Sequence, residues 1–392
     1  MEYSPVLRIM KMKNKYRILS LILFCFIIIS NLPGQNFNLK GMAAGWFAAS
    51  RSNDWATQLG GRYIPGFEFL VPINDKIKME GEFSANLTGS YTNPSADNNF
   101  YSKIKPYRMW AKISGNQFEV RAGLQKVNFG SASILRPLMW FDRIDPRDPL
   151  HLTDGVYGIL GRYYTLNNVN FWAWGMYGNK NTKGWETFET KDKNIEFGGR
   201  FQFPVPRAEI ALSYHHRKAR EDTIIGWPPS EPGEIFFPEN RYAIDIKADL
   251  GIGIWVEEVV VHQKSDMHSP YKNMLSLGMD YTFGIGNGLG LMAEHLILQY
   301  SNELFKDGEQ FQFTAFSANY PLSIFASLSY ISFYDWRNKN LYNFINLGLT
   351  FDRFSYYIMG FINPADFSIF DFSTGTTLFN GSGIQVMAVY NY

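Results

Sequence analysis

The chain has 392 residues, a net charge of +1 and 17% aromatic residues, with a mean hydropathy of −0.19. That near-neutral balance gives no support for nucleic-acid binding, and beyond residue 35 no run of about 18 apolar residues is present to form a transmembrane helix. No charge run or low-complexity linker divides the sequence, so one domain is expected after the N-terminal segment.

That segment carries Arg8, Lys11, Lys13, Lys15 and Arg17 ahead of an apolar stretch at 18–29, followed by Pro33, Gly34 and Gln35. The layout is that of a secretory signal peptide, so 1–35 is expected to be removed and 36–392 to be the mature domain. Cys25, the one cysteine, lies inside the apolar stretch directly behind Phe24. Neither a lipid anchor nor a disulfide is therefore expected in the mature chain.

From Phe37 onward, short segments alternate apolar and polar residues. Ile77, Met79, Phe83, Ala85 and Leu87 interleave with Lys78, Glu80, Glu82, Ser84 and Asn86, the period of two that a strand between two environments requires. Further on, Phe118, Val120 and Ala122 oppose Glu119 and Arg121, Ile195 and Phe197 oppose Glu196, and Phe201 opposes Arg200. Ile244, Ile246 and Ala248 likewise oppose Asp245, Lys247 and Asp249. So many charges on one face cannot pack a soluble core. They fit a barrel with apolar residues toward lipid and polar residues, Arg162 among them, toward a lumen.

Tight turns read at 72–75, 114–116, 166–168, 204–206, 251, 287–288, 320–321 and 352–353. Longer loops centre on Asn53, Pro94, Leu138, Lys180, Pro229, Asp266, Phe305, Asn338 and Asp371. The fold class expected is all-β: a single transmembrane antiparallel up-and-down β-barrel of about 18 strands, or about 16, with short periplasmic turns and long extracellular loops. The alternation falters at Glu257-Glu258 and Glu294-His295, where bulges are expected. Tyr91, Tyr107, Trp110, Tyr163, Tyr214, Tyr300, Tyr330 and Tyr356, near strand ends, are expected to form aromatic girdles.

One connection, 129–154, is unlike an exposed loop. Its apolar half, 134–141, needs a surface to bury against. It is the third long loop and is expected to fold into the barrel as a constriction, with Arg136, Arg143, Arg147 and His151 on the basic side and Asp142, Asp145, Asp148 and Asp154 on the acidic. Mixed charge across a narrow aperture orders polar solutes; equally, these groups pair with one another and the wall simply to anchor the loop. Trp172 and Trp174 share a face. If that face is the lumen they offer a stacking surface for sugar rings, and if it is lipid they belong to a girdle.

Ile384, Val386, Ala388, Tyr390 and Tyr392 form one face of the C-terminal segment. This resembles the terminal targeting strand of Gram-negative outer-membrane proteins, and the mature chain resembles the porin-like barrels of that membrane. The resemblance implies export through the secretory pathway, residence in the cell outer membrane among lipid and lipopolysaccharide, transient contact with the barrel-assembly machinery, and compatibility with a homo-trimer. It also implies a third loop folded inward. The function expected is passive diffusion of small polar solutes through a channel of weak ion selectivity, lined by the inward charges at 78, 80, 82, 119, 121, 162, 196, 200, 245, 247 and 249. The alternative is a plugged or narrow barrel that binds or exports surface polysaccharide, for which the Pro-rich segment 227–233 is a candidate contact. No catalytic residue, cofactor or metal is expected: arginines interrupt the aspartates at 142, 145 and 148, and no Ser, His and acidic triplet stands out.

Overall fold

The computed structural model describes residues 36–52, 54–94, 99–220, 236–264, 269–365 and 379–392, and among them every regular element is a strand. In chain order these are β1 (Asn36–Arg51), β2 (Trp55–Asn74), β3 (Ile77–Asn93), β4 (Phe100–Ser114), β5 (Phe118–Gln125), β6 (Val156–Tyr164) and β7 (Asn170–Tyr177). They continue as β8 (Glu189–Thr190), β9 (Ile195–Val205), β10 (Ala208–Arg220), β11 (Phe236–Asp249), β12 (Gly253–Gln263) and β13 (Tyr271–Phe283). The remainder are β14 (Leu289–Ser301), β15 (Glu309–Ser323), β16 (Ala326–Asp335), β17 (Asn340–Thr350), β18 (Phe354–Ile362) and β19 (Ser382–Asn391).

Each wall strand pairs antiparallel with its neighbour in sequence, and β19 pairs with β1 from Met42 opposite Asn391 to Arg51 opposite Ser382. The wall therefore closes on itself. The two-residue β8 pairs only with β10, while β7 pairs directly with β9. Eighteen strands form the barrel and β8 lies outside it. Closure leaves no free edge where the strands overlap, so the amides of the paired rows find partners without water, as a bilayer demands.

Ladder partners share a face, so one residue of known orientation orients a whole row. Leu39, Leu59, Ile104, Ile159, Ile195, Leu212 and Ile244 are exposed on the outer face. Lys78, Glu80, Glu82, Glu119, Arg121, Arg162, Glu196, Arg200, Asp245, Lys247 and Asp249 all fall in rows of the opposite, inner parity.

Three local expectations need correction. The turn read at 320–321 lies further on, because β15 runs through Pro321 to Ser323 and takes up the misfit as a register shift there. No bulge interrupts the ladders of Glu257-Glu258 or Glu294-His295. The alternation falters there because Glu258 and His295 themselves sit in outer rows. Trp110 and Tyr300 are not girdle residues, since they lie opposite the inner Glu82 and Lys272. The loop centres Asn53, Pro229, Asp266 and Asp371, the Pro-rich 227–233 and the segment 1–35 lie outside the described residues.

Candidate functional site

The site is the lumen and what fills it. The segment 126–155 leaves β5 and folds inward, against a surface of inner-face apolar residues that includes Leu160, Trp174, Val259, Met274, Leu296, Phe333 and Phe344. Leu135, Leu138 and Trp140 are buried in that cluster. Two wall carboxylates hold the segment's entry. Glu257 accepts hydrogen bonds from the amides of Ser131 and Ala132, and Glu294 accepts from Ser133, Ile134 and Leu135. Five consecutive amides thus face two acids, which compensates each carboxylate for lost hydration.

The loop then meets the wall on several sides. Arg147 packs on Phe344 and Phe379, 5.6 and 5.1 Å from their ring centres. Leu150 joins Met42, Trp46 and Tyr357 around the buried Ala44, Met387 and Val389. On the return, the Thr153 carbonyl accepts from Arg108 at 3.0 Å and Asp154 pairs with Lys105. The loop charges largely meet one another: Arg136 with Asp142 at 2.8 Å, and Arg147 with Asp145 through two bonds of 2.8 and 2.6 Å. Arg143 donates to Thr182, while His151 is exposed with a left-handed φ of 45°. Asp148 accepts from the Leu150 amide, and burial pushes its carboxyl above the usual range.

The long loop centred on Lys180, expected outside the barrel, is a second inward segment at 178–194. Lys183 and Glu186 lie buried against Glu196, Arg217, Glu239 and Arg241. Arg217 grips Glu239 through bonds of 2.7 and 3.0 Å, and Lys272 donates to the Trp185 carbonyl. Each charge here has an opposite neighbour, which removing any one would leave stranded. The signal was present: inner parity places Arg217, Glu239 and Arg241 near the loop rim, with a matching Lys183 and Glu186 in the next loop.

Trp172 and Trp174 both face inward, opposite Arg162 and Leu160. Trp174 is buried, stacks on Phe129 at 5.7 Å and donates to His215 Nδ1. Trp172 meets Phe129 edge-on, with the Arg162 guanidinium 3.7 Å over its ring. Both indoles therefore seat the start of the loop.

The inner face divides into two halves. Toward β10–β14 the charges are dry: side chains of Arg217 and His215 are 0% exposed, and Glu257 likewise. Along β1–β5 and the turn end of β6 they are wetter, with Lys78 52% and Lys40 43% exposed and Glu80, Lys112, Glu119 and Arg162 half-buried, although Arg108 is buried under the returning loop. Rows run Lys40–Gly66–Ser84–Arg108, Arg62–Thr88–Lys103 and Glu80–Lys112–Arg121 across this wet wall. Lys40 pairs with Glu68, Glu80 with Lys78 and Lys112, and Glu119 with Arg162.

No protein-family model and no curated protein matches the chain. Solved structures do. OccAB1 of Acinetobacter baumannii is 10% identical with a TM-score of 0.53, over 92% of this chain and 96% of that one. The trimer form of OmpT, an outer membrane protein of Vibrio cholerae, is 10% identical with a TM-score of 0.51, over 91% and 99%. OmpF of Salmonella typhi, in complex with daunomycin, is 11% identical with a TM-score of 0.50, over 92% and 98%. The fold is that of the porin-like barrels of Gram-negative outer membranes.

A porin-like barrel needs an apolar outer belt, and among the described residues Glu258 and His295 are ionisable groups set within it. His295 Nδ1 lies 2.9 Å from Thr314 Oγ1, a partner on its own outer face. Glu258 stands in the row Phe171–Phe201–Leu212–Ile244–Glu258–Leu275, and among the described residues no cation pairs with it. That row borders a shallow outer hollow of about 780 Å³ that also takes in Tyr214 and Tyr242.

Proposed function

We propose that the protein is a narrow outer-membrane channel for passive diffusion of small polar solutes. The observation that carries this is the division of the lumen into a dry, loop-filled half and a wet, ionic half along β1–β6. Charges that line solvent are at home in a pathway for hydrated solutes, whereas charges serving only to anchor the loops are buried and paired. The segment 129–154 acts as the constriction, with Arg136, Asp142, Arg143, Asp145, Arg147, Asp148 and His151 holding its shape rather than forming two opposed charged walls. Trp172 and Trp174 serve as its seat rather than as a sugar slide. The reading assigns no catalysis. Homo-trimerisation belongs to it, supported by fold likeness to a barrel solved as a trimer.

A second reading is favoured by the loop's contacts with β12, β14, β17, β19 and β4: a plugged barrel whose outer loops bind or export surface polysaccharide. Conductance in planar bilayers separates the two. A channel gives discrete steps, small for an 18-strand wall. Protein that keeps its heat-modifiable migration yet yields no steps is plugged, and the channel reading fails.

A further inference from the structure

We infer that the wet half of the lumen selects for anions, so that the solutes admitted are small carboxylates, phosphates and similar negatively charged molecules. This rests on the channel reading and gives it a sign.

The inner face of β1–β6 presents nine basic side chains, at 40, 62, 78, 103, 105, 108, 112, 121 and 162, against four carboxylates, at 68, 80, 82 and 119. Three of those carboxylates are already held by cations of the same wall, and Glu82 accepts from the Ser84 hydroxyl. Among the described residues, none of Arg62, Lys103, Arg108 and Arg121 has a carboxylate within ion-pair distance. Arg62 and Arg121 instead lie over Trp46 and Trp110, at 5.9 and 4.7 Å, and feel Asp148 and Glu119 respectively through space rather than through an ion pair.

The position of this surplus matters as much as its size. Arg108 holds the Thr153 carbonyl and the neighbouring Lys105 holds Asp154. Arg62 and Lys103 lie in the adjacent inner row, on strands two apart and so about 10 Å from each other. The basic rows therefore stand where the inward loop returns to the wall. A narrow aqueous path between low-dielectric walls focuses the field of such charges.

Of the other lumen charges, Glu257 and Glu294 are inward acids but lie buried beneath the loop amides they hold, off the wetter wall. The segment 126–155 carries four acids against Lys126, Arg136, Arg143 and Arg147, a neutral sum. The network around Arg217 and Glu239 is buried away from the path, and Asp245 is paired with Arg200. Glu209, Asp249 and Asp280 surround Lys247 at the turn rim, the end of the wall opposite the long loops.

The test is the zero-current potential of the full-length protein in planar bilayers across a potassium chloride gradient. The expected chloride-to-potassium permeability ratio is at least about 3 near 0.1 M, where the Debye length is about 10 Å, and it falls toward about 1 near 1 M, where screening shortens it to about 3 Å. The double variant Arg62→Gln/Lys103→Gln, checked for heat-modifiable migration, is expected to lower the ratio about two-fold or more at low salt. Steps with a ratio at or below about 1 in dilute salt overturn the inference while leaving the channel standing. A ratio untouched by the double variant overturns its assignment to these rows, and an absence of steps overturns the channel and the inference together.

Discussion

Glu294 and Glu257 show how a single side chain decides where a loop goes. In Glu294→Ala the buried amides of Ser133, Ile134 and Leu135 lose their acceptor, and an unsatisfied buried donor costs about 1–3 kcal/mol. We expect trypsin to cut the folded barrel after Arg143 about tenfold faster or more, since about 1.4 kcal/mol of loosening changes the open population that much. An unchanged cleavage rate would show that the apolar seat alone holds the loop. Asp148 supplies a pH dependence. Its carboxyl is raised by burial, so the folded loop binds that proton more tightly than the unfolded one, and the contribution is favourable at low pH and lost as pH rises through the raised value. Current noise from loop opening should therefore grow with pH from about 4 upward, and Asp148→Asn should flatten that part of the profile. Of these residues the sequence shows identity but not role. Glu257 and Glu294 break the expected alternation only because Glu258 and His295 beside them face outward, and nothing in a local pattern announces a charged residue placed toward lipid.

At the level of elements, the strands were legible because a wall between lipid and water imposes one constraint at every position. The exceptions share a cause: Pro321 inside β15, Trp110 and Tyr300 inside the lumen, and the segment 178–194 all depend on partners distant in sequence. A repeated device also escaped notice, in which an aromatic ring lies directly opposite a glycine: Trp46 with Gly60, Phe69 with Gly81, Trp174 with Gly198, Trp255 with Gly278 and Phe361 with Gly383. In each, a β-carbon on the glycine would collide with the ring, so the missing side chain is what lets a large ring lie flat on the wall. The inward loop itself was readable from its apolar half. Deleting 133–147 removes its anchored core but leaves the wall ladders intact, so single-channel conductance should rise severalfold; an unchanged step would mean that the path does not pass this loop.

For the whole molecule, the lumen's two halves do different work. Packing one side with loops supplies a soluble-like core of buried rings and paired ions, while the other side leaves charges such as Lys40 and Lys78 facing solvent. The barrel count and orientation followed from turn and loop spacing, but the sign of the wet wall did not, because the near-zero charge of the full chain conceals an uneven distribution between faces.

The double pairing of β19 sets an order on assembly. It holds β18 on one side and β1 on the other, with Gly41 and Tyr392 exchanging amide-to-carbonyl bonds at the junction. A chain made from its N-terminus is thus an open ribbon with two sticky margins until β19 emerges, and such margins recruit any strand they meet. Sealing is one late event rather than a gradual one, so whatever guards the unfinished ribbon has to shield both margins at once and let go of them together.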